Sequence, residues 1–410
     1  PMKAHQRYFP VVGEDSNLLP YFIAVRNGND YKIENVKAGN EKVLEARLAD
    51  AKFFFNEDRQ HDLEYYRNKL NTVVFQEKLG TLLDKSERIY NIAKVYGKEV
   101  DVNIEDLESA AYYAKADLVT NMVFEFDELQ GYMGMQYSRL EGNNDTVSKA
   151  IYEHYMPRFN GDTVPSTMEG AILSIIDKMD TIAGFFAIGI QPTGSADPFA
   201  LRRQCIGILT ILLEKNIEID VARLASISLD QYSSVEFDKD SVIDNIIEFF
   251  NERTKNMFKD MGIRYDVVEA VLASDEKNIS DLYVRAEAMN KWIDRDSLTD
   301  MLVAFNRVSN LAEGAETDKI DQALLLEDVE KELYDNFKDV DSKISDLMDQ
   351  KEYTKSLDAF ASLKPAVDNF FDNVMVMSDN PKLRTNRLAL LKNISDSMLK
   401  VCDLTKIVYK

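Results

Sequence analysis

Apolar positions recur at helical spacing along most of this 410-residue chain. Ile172, Ile175, Met179, Ile182 and Phe186 share one helical face. So do Tyr353, Leu357, Phe360 and Leu363 ahead of Pro365, and Leu388, Leu391, Ile394, Met398 and Val401 near the end, where Arg387, Lys392 and Lys400 are left to face solvent. The start reads differently. Arg7–Val12 and Leu18–Val25 are β-rich runs parted by the polar turn cluster Gly13-Glu14-Asp15-Ser16-Asn17. From about Asn40 the pattern predicts helix almost throughout, which makes this a mainly α, multi-domain protein with a small β-containing N-terminal segment.

Two helix starts carry their own chemistry. In Pro165-Ser166-Thr167-Met168-Glu169, Ser166 is placed to cap a helix and Glu169 to reach back to it. Asp197-Pro198 reads as an N-cap followed by proline at the first helical position, after a loop running from Gly189 to Ser195. The length suits two to four domains. The acidic segment Asp294–Asp300 is a candidate boundary, and no fixed-period repeat is present.

Composition changes this picture little: 45% hydrophobic and 29% charged residues describe a soluble globular chain. The longest apolar runs, Ile182 to Ile190 and Ile206 to Leu213, are interrupted by glycine or a polar residue and fall short of a membrane span. No signal-peptide pattern opens the chain, and Pro1 ahead of Met2 suggests a trimmed fragment. Two distant cysteines, Cys205 and Cys402, fit a reducing cytoplasm. The net charge of -22 opposes binding of a polyanion as a whole, so local basic surfaces must carry any such role. Lys382 to Lys410 holds seven Lys/Arg against Asp396 and Asp403, a balance of +5.

The chemistry-bearing residues form no catalytic constellation. His5, His61 and His154 are scattered, and neither cysteine has a partner at metal-ligand spacing, so no metal site is expected. His61-Asp62 is the type of dipeptide that supplies adjacent ligands in metal-dependent phosphohydrolases, but it lies in the charged stretch Asn56–Asp62, which reads as a solvated face. Asp177 and Asp180 share a helical face opposite the apolar stripe; there they are expected to be solvated, with Lys178 and Lys115 at hand to neutralise them. No Gly-x-Ser-x-Gly elbow, Walker loop or Gly-x-Gly-x-x-Gly fingerprint occurs. The Thr193–Ser195 loop could present a helix N-terminus to phosphate, except that Asp197 already occupies the amide end. One of the adjacent Arg202 and Arg203 must face away from the core. Trp292, beside Lys291, is expected in the core rather than on an RNA surface.

Longer stretches carry a resemblance. His5-Gln6-Arg7-Tyr8-Phe9-Pro10-Val11, Leu18-Leu19-Pro20-Tyr21-Phe22-Ile23, Arg47-Leu48-Ala49-Asp50-Ala51-Lys52-Phe53-Phe54-Phe55 and Gly80-Thr81-Leu82-Leu83-Asp84-Lys85 come first. Lys115-Ala116-Asp117-Leu118-Val119-Thr120-Asn121, Asp177-Lys178-Met179-Asp180 and Asp197-Pro198-Phe199-Ala200-Leu201-Arg202-Arg203 follow. Asn306-Arg307-Val308-Ser309-Asn310, Val374-Met375-Val376-Met377 and Arg384-Thr385-Asn386-Arg387-Leu388 close the series. In this order and over nearly the whole chain, they resemble the C-terminal portion of the β subunit of bacterial two-subunit glycyl-tRNA synthetases.

The resemblance implies the end of a β-containing region over residues 1–56, an HD-like helical domain over 57–200 and a helical linker over 201–300. A helical-bundle anticodon-binding domain, like that ending arginyl-tRNA synthetases, would span 301–410. It implies a partner α subunit, an α2β2 assembly, that holds the site for glycine, ATP and Mg, with no cofactor or catalytic residue in this chain. Glycine tRNA is the implied ligand, with neither DNA nor membrane as partner, and Arg202, Arg203, Arg307, Arg384, Asn386, Arg387 and Lys392 are the implied tRNA contacts. The slots of the HD-like metal ligands appear as Ala116-Asp117 and Asp177; without histidine they are vestigial, and His61-Asp62 lies outside the pattern. A metal-dependent HD-type phosphohydrolase is the alternative.

Overall fold

The computed structural model describes residues 7–408 apart from 275, 277 and 294–297. His5 and most of the candidate boundary Asp294–Asp300 therefore lie outside the described residues. The chain divides into two compact units, the first formed by Pro1–Ile211 with Arg223–Ile243 and the second by Leu212–Ala222 with Asp244–Lys410.

The first unit opens with an antiparallel hairpin of β1 (Tyr8–Val12) and β2 (Leu18–Ala24), in which Tyr8 faces Ala24 and Phe9 faces Ile23. Both runs were expected from their β-branched and aromatic content. A short second hairpin, β3 (Val74–Gln76) with β4 (Gly80–Thr81), has too few residues to show in the pattern. The helices of this unit are α1 (Ile33–Asp58), α2 (Leu63–Lys69), α3 (Leu82–Tyr96), α4 (Ile104–Tyr113), α5 (Asn121–Glu125), α6 (Tyr132–Leu140), α7 (Asp145–Glu153) and α8 (Met168–Ala187). Next come α9 (Leu201–Lys215), α10 (Val221–Leu229) and α11 (Lys239–Asp260), each with residues in both units.

Helix α8 is the axis of the first unit. Helices α3, α4 and α7 pack on it. Ile172, Ile175, Met179 and Ile182 have no exposed surface, each burial contributing about 1.5–3 kcal/mol. Every residue from Gly170 to Ala187 is buried, so the helix has no solvated face. The expectation that Asp177 and Asp180 stand in solvent is thereby corrected. Asp58 departs likewise from the solvated reading of Asn56–Asp62: its buried carboxylate accepts from the amides of Asn121 and Met122 at the start of α5 and from the Tyr137 hydroxyl. His61 and Asp62 are exposed, Asp62 capping α2 through the Tyr65 amide.

Two predicted caps shift. Thr167, not Ser166, caps α8, its hydroxyl accepting from the Gly170 amide. Ser166 donates to Glu153, and Glu169 accepts from the Asn103 amide. The chain after Asp197 does not enter a helix at Pro198: Ala200 has a positive φ of 56°, and α9 begins at Leu201. Asp197 still takes the exposed amides of that helix, accepting from Leu201 and Arg202 at 2.8 and 2.9 Å.

The second unit contains α12 (Tyr265–Leu272), α13 (Ile279–Trp292), α14 (Leu298–Ala312), α15 (Asp328–Asp349), α16 (Tyr353–Ala361), α17 (Lys364–Asn373) and α18 (Pro381–Leu399). Helix α14 packs on α18, and α15 on α16 and α17. Both stripes predicted here are buried, Tyr353, Leu357, Phe360 and Leu363 as well as Leu388, Leu391, Ile394 and Met398; Val401 is buried beyond the helix end. Trp292 is a core residue whose indole N–H donates to Asp358 at 2.9 Å.

Candidate functional site

Asp177 and Asp180 are expensive to bury, and the structure answers them with three cations, two from α3 and one from the turn before Ala116. Lys85 on α3 donates to Asp180 at 3.0 Å, to the Thr181 hydroxyl at 2.8 Å and to the Asp177 carbonyl, and its ammonium lies 2.9 Å from Asp177 Oδ1. Lys115, just before the short 3-10 turn at Ala116–Val119, donates to Asp177 Oδ2 at 2.7 Å. Arg88, one turn from Lys85, donates to Asp180 Oδ1 at 2.8 Å, and the Tyr232 hydroxyl donates to the same oxygen. Burial alone would raise both carboxyls; Lys115 and Lys85 hold Asp177 well below the usual carboxylate range, and Lys85 with Arg88 keeps Asp180 low.

Lys178 faces the other way. It donates to the Met156 carbonyl at 2.9 Å and to Ser174 at 2.6 Å, and burial without a carboxylate in contact pulls it down to about 7. Asp117 is wholly buried, and its Oδ2 accepts from the Gly131 and Gly134 amides. A side chain at Gly134 would meet Ile151 at 2.9 Å, so only glycine brings α6 this close. Burial raises Asp117 to about 6 despite those two donors. His154 donates from Nδ1 to the Ile151 carbonyl at 2.6 Å; burial and then Lys115 hold it neutral, with Nε2 as a bare acceptor.

Above this cluster is a cleft of about 360 Å3. Lys85, Lys115, Asp177 and Tyr155 line its charged part, and Phe75, Phe185 and Phe199 line its apolar wall. Phe185 and Phe199 stack at 4.0 Å between ring centres, and the Lys115 ammonium lies 4.2 Å from the centre of the Tyr155 ring.

Asp117 and Asp177, the two residues read as HD-like slots, are joined in one charge cluster through Lys115, on which both carboxylates act. The ammonium groups of Lys85 and Lys115 occupy both oxygens of Asp177. Among the described residues, no group of three or more His, Cys, Asp or Glu side chains is placed to hold a metal ion. A carboxylate saturated by two lysines is a poor metal ligand, and the phosphohydrolase alternative is disfavoured on that chemistry. Sequence reasoning reached Lys115 as a neutraliser of these carboxylates, but missed Lys85 and His154. The pairing of Lys85 with Arg88 at helical spacing is the one signal that could have pointed to α3.

The implied tRNA contacts are distributed. Arg203 is exposed and Arg202 half-buried at the start of α9. Arg307 and Arg384 are exposed, Arg307 with its guanidinium 4.1 Å from the Phe371 ring centre. Arg387 does not face solvent as its place beside the apolar stripe suggested. It is buried, donating to Glu330 at 2.6 Å and to the Met375 carbonyl at 2.9 Å, while Glu330 has no exposed surface. Asn386 is buried too, exchanging hydrogen bonds with the backbone of Asp321. Lys392 pairs with Asp396 and Lys400 with Asp341, both partly exposed. The loop that Arg387 holds leaves Met375 74% and Met377 55% exposed. Lys382 and Arg384 at the start of α18 are exposed as well, as is Asp379 just before it.

No helix among the described residues is long and apolar enough to cross a membrane. Residues 301–409 match the DALR anticodon binding domain. Residues 1–273 match the model of the glycyl-tRNA synthetase beta subunit, and the chain belongs to that family. It is 58% identical over 412 residues to a glycine--tRNA ligase beta subunit of Clostridioides difficile, covering 100% of this chain and 60% of the relative. The corresponding protein of Desulforamulus reducens is 45% identical over 414 residues, with 100% and 60% covered. That of Mannheimia succiniciproducens is 40% identical over 407 residues, with 98% and 59% covered. The chain thus spans about three fifths of the length of these relatives.

Proposed function

We propose that this chain is the tRNA-gripping part of a glycine–tRNA ligase, acting in the cytoplasm with a separate α subunit that binds glycine, ATP and Mg and joins glycine to the tRNA. Residues 301–410 would take the anticodon arm as an anticodon-binding domain, and the HD-like residues 57–200 the acceptor arm, with 201–300 linking them. The observation that carries the reading is the surface around Met375, Met377, Lys382 and Arg384, within the stretch that matches an anticodon-binding domain. Unstacked bases want apolar contact, and phosphates want unburied cations; this surface offers both.

Among the implied contacts, Arg202, Arg203, Arg307, Arg384 and Lys392 keep exposed cationic surface and suit phosphate. Arg387 and Asn386 act instead by holding the loop and the neighbouring turn in place. Filter binding of glycine tRNA and an unrelated tRNA to the full-length protein tests the reading, together with aminoacylation after mixing with the α partner. Preferential binding and glycine charging only in the mixture are expected; equal binding of both tRNAs, or no charging, overturns it.

A further inference from the structure

The cleft above Asp177 lies in the region that the reading just given assigns to the acceptor arm, and the charge beneath it is not balanced. The mutually interacting groups are four cations, Lys85, Arg88, Lys115 and Lys178, against three carboxylates, Asp117, Asp177 and Asp180. Glu153, the other buried carboxylate nearby in sequence, is taken up by Ser166 and Thr167 at the start of α8. At most one positive charge is left over, partly relieved by the lowered Lys178, and an anion in the cleft would balance the remainder.

The donors are placed for one. A lysine ammonium has three N–H groups; that of Lys115 is engaged by Asp177 Oδ2 alone among its hydrogen bonds, and the side chain lines the cleft. Lys85, by contrast, spends its donors on Asp177, Asp180 and Thr181. Tyr155, whose buried hydroxyl has no hydrogen-bond partner, lines the same cleft with Gln130 and Gln204. Across from them is the aromatic wall, whose outer ring, Phe199, is 38% exposed and stacked on Phe185. The volume of about 360 Å3 is in the range of small-ligand pockets.

We propose that this cleft binds one nucleotide unit, its base against Phe199 and its phosphate at Lys115, Tyr155 and Gln130. The ligand joins an aromatic plane to an anion, which is what a wall of stacked rings beside a lysine ammonium with unused donors accommodates. The source is either a free mononucleotide or one unstacked nucleotide of an RNA strand.

Isothermal titration of the full-length chain with AMP tests this, with a short unstructured oligoribonucleotide as competitor. Saturable one-site binding is expected, weakened about tenfold or more in Phe199→Ala and in Lys115→Met. Phe199→Ala leaves the ion cluster untouched, so the test holds even where Lys115→Met fails to fold. Competition by the oligoribonucleotide identifies RNA as the source, and its absence a free nucleotide. Failure of AMP to bind saturably, or binding that Phe199→Ala leaves unchanged, overturns the proposal. Glycine tRNA binding through the C-terminal surface stands or falls separately, since Met375→Ser with Met377→Ser reads it and leaves the cleft intact.

Discussion

In the first unit, Lys85, Lys115 and Arg88 converge on Asp177 and Asp180 beside an open cleft, and Lys115 keeps donors to spare. In the second, Arg387 meets the fully buried Glu330 and the Met375 carbonyl, and Glu330 also accepts from the Glu327 amide that begins α15. The first cluster borders a cleft and keeps a lysine with unused donors; the second is closed, its cation and carboxylate matched. A closed pair fixes the shape of what surrounds it, here a loop that presents Met375 and Met377. An open one leaves chemistry available. Both are buried arginine or lysine systems in an acidic chain, and only their remaining donors tell them apart.

The largest expected effects come from stranding either cluster. Asp180→Ala leaves Lys85 and Arg88 without their shared carboxylate, and a loss of about 3–5 kcal/mol in urea unfolding is expected. Arg387→Met strands Glu330 and should cost a similar amount. A loss under about 1 kcal/mol in either would mean that the cluster is solvated in solution.

A second effect belongs to the first unit alone. Asp117 in the folded chain is raised to about 6 from 3.8, so the native state holds its proton more tightly than the unfolded state. Stability from this group is present at low pH and lost as pH rises through about 4 to 6. Asp117→Asn removes that loss, and its stability relative to the parent should rise by about 2.4 kcal/mol between pH 4 and pH 7.5. Denaturant midpoints across that range check it; a difference that does not vary with pH contradicts the burial of this carboxylate.

Helix content and the stripes at Ile172–Phe186, Tyr353–Leu363 and Leu388–Met398 were legible because burial of one face forces a 3.6-residue period. The N-terminal hairpin was legible from its β-branched runs and polar turn. The sites were much less so. Periodicity said that Asp177 and Asp180 share a face, but could not say that α3 and the 115–119 turn cover it, since that contact joins residues more than sixty positions apart. For the same reason Arg387, read from its own helix, looked solvated; Glu330, 57 positions earlier, buries it. The exact helix starts at Thr167 and Leu201 were missed by one and three residues, because Ser166 serves Glu153 and Ala200 turns with positive φ.

Smaller effects separate the two kinds of surface in the second unit. Met375→Ser with Met377→Ser should weaken glycine tRNA binding about tenfold with little change in unfolding midpoint, as lost base contact predicts. Unchanged affinity would move the base-contacting surface elsewhere. Arg384→Ala should cost a few-fold in affinity and flatten the salt dependence by about one unit.

The central claim is that buried arginine shapes this protein while exposed arginine contacts its ligand. It is tested most directly by the salt dependence of glycine tRNA affinity for Arg384→Ala and Arg387→Met side by side, at a temperature where both are folded. The account predicts that the slope of log affinity against log salt falls by about one unit for Arg384→Ala and keeps its parental value for Arg387→Met. A slope that falls for Arg387→Met and not for Arg384→Ala would contradict it.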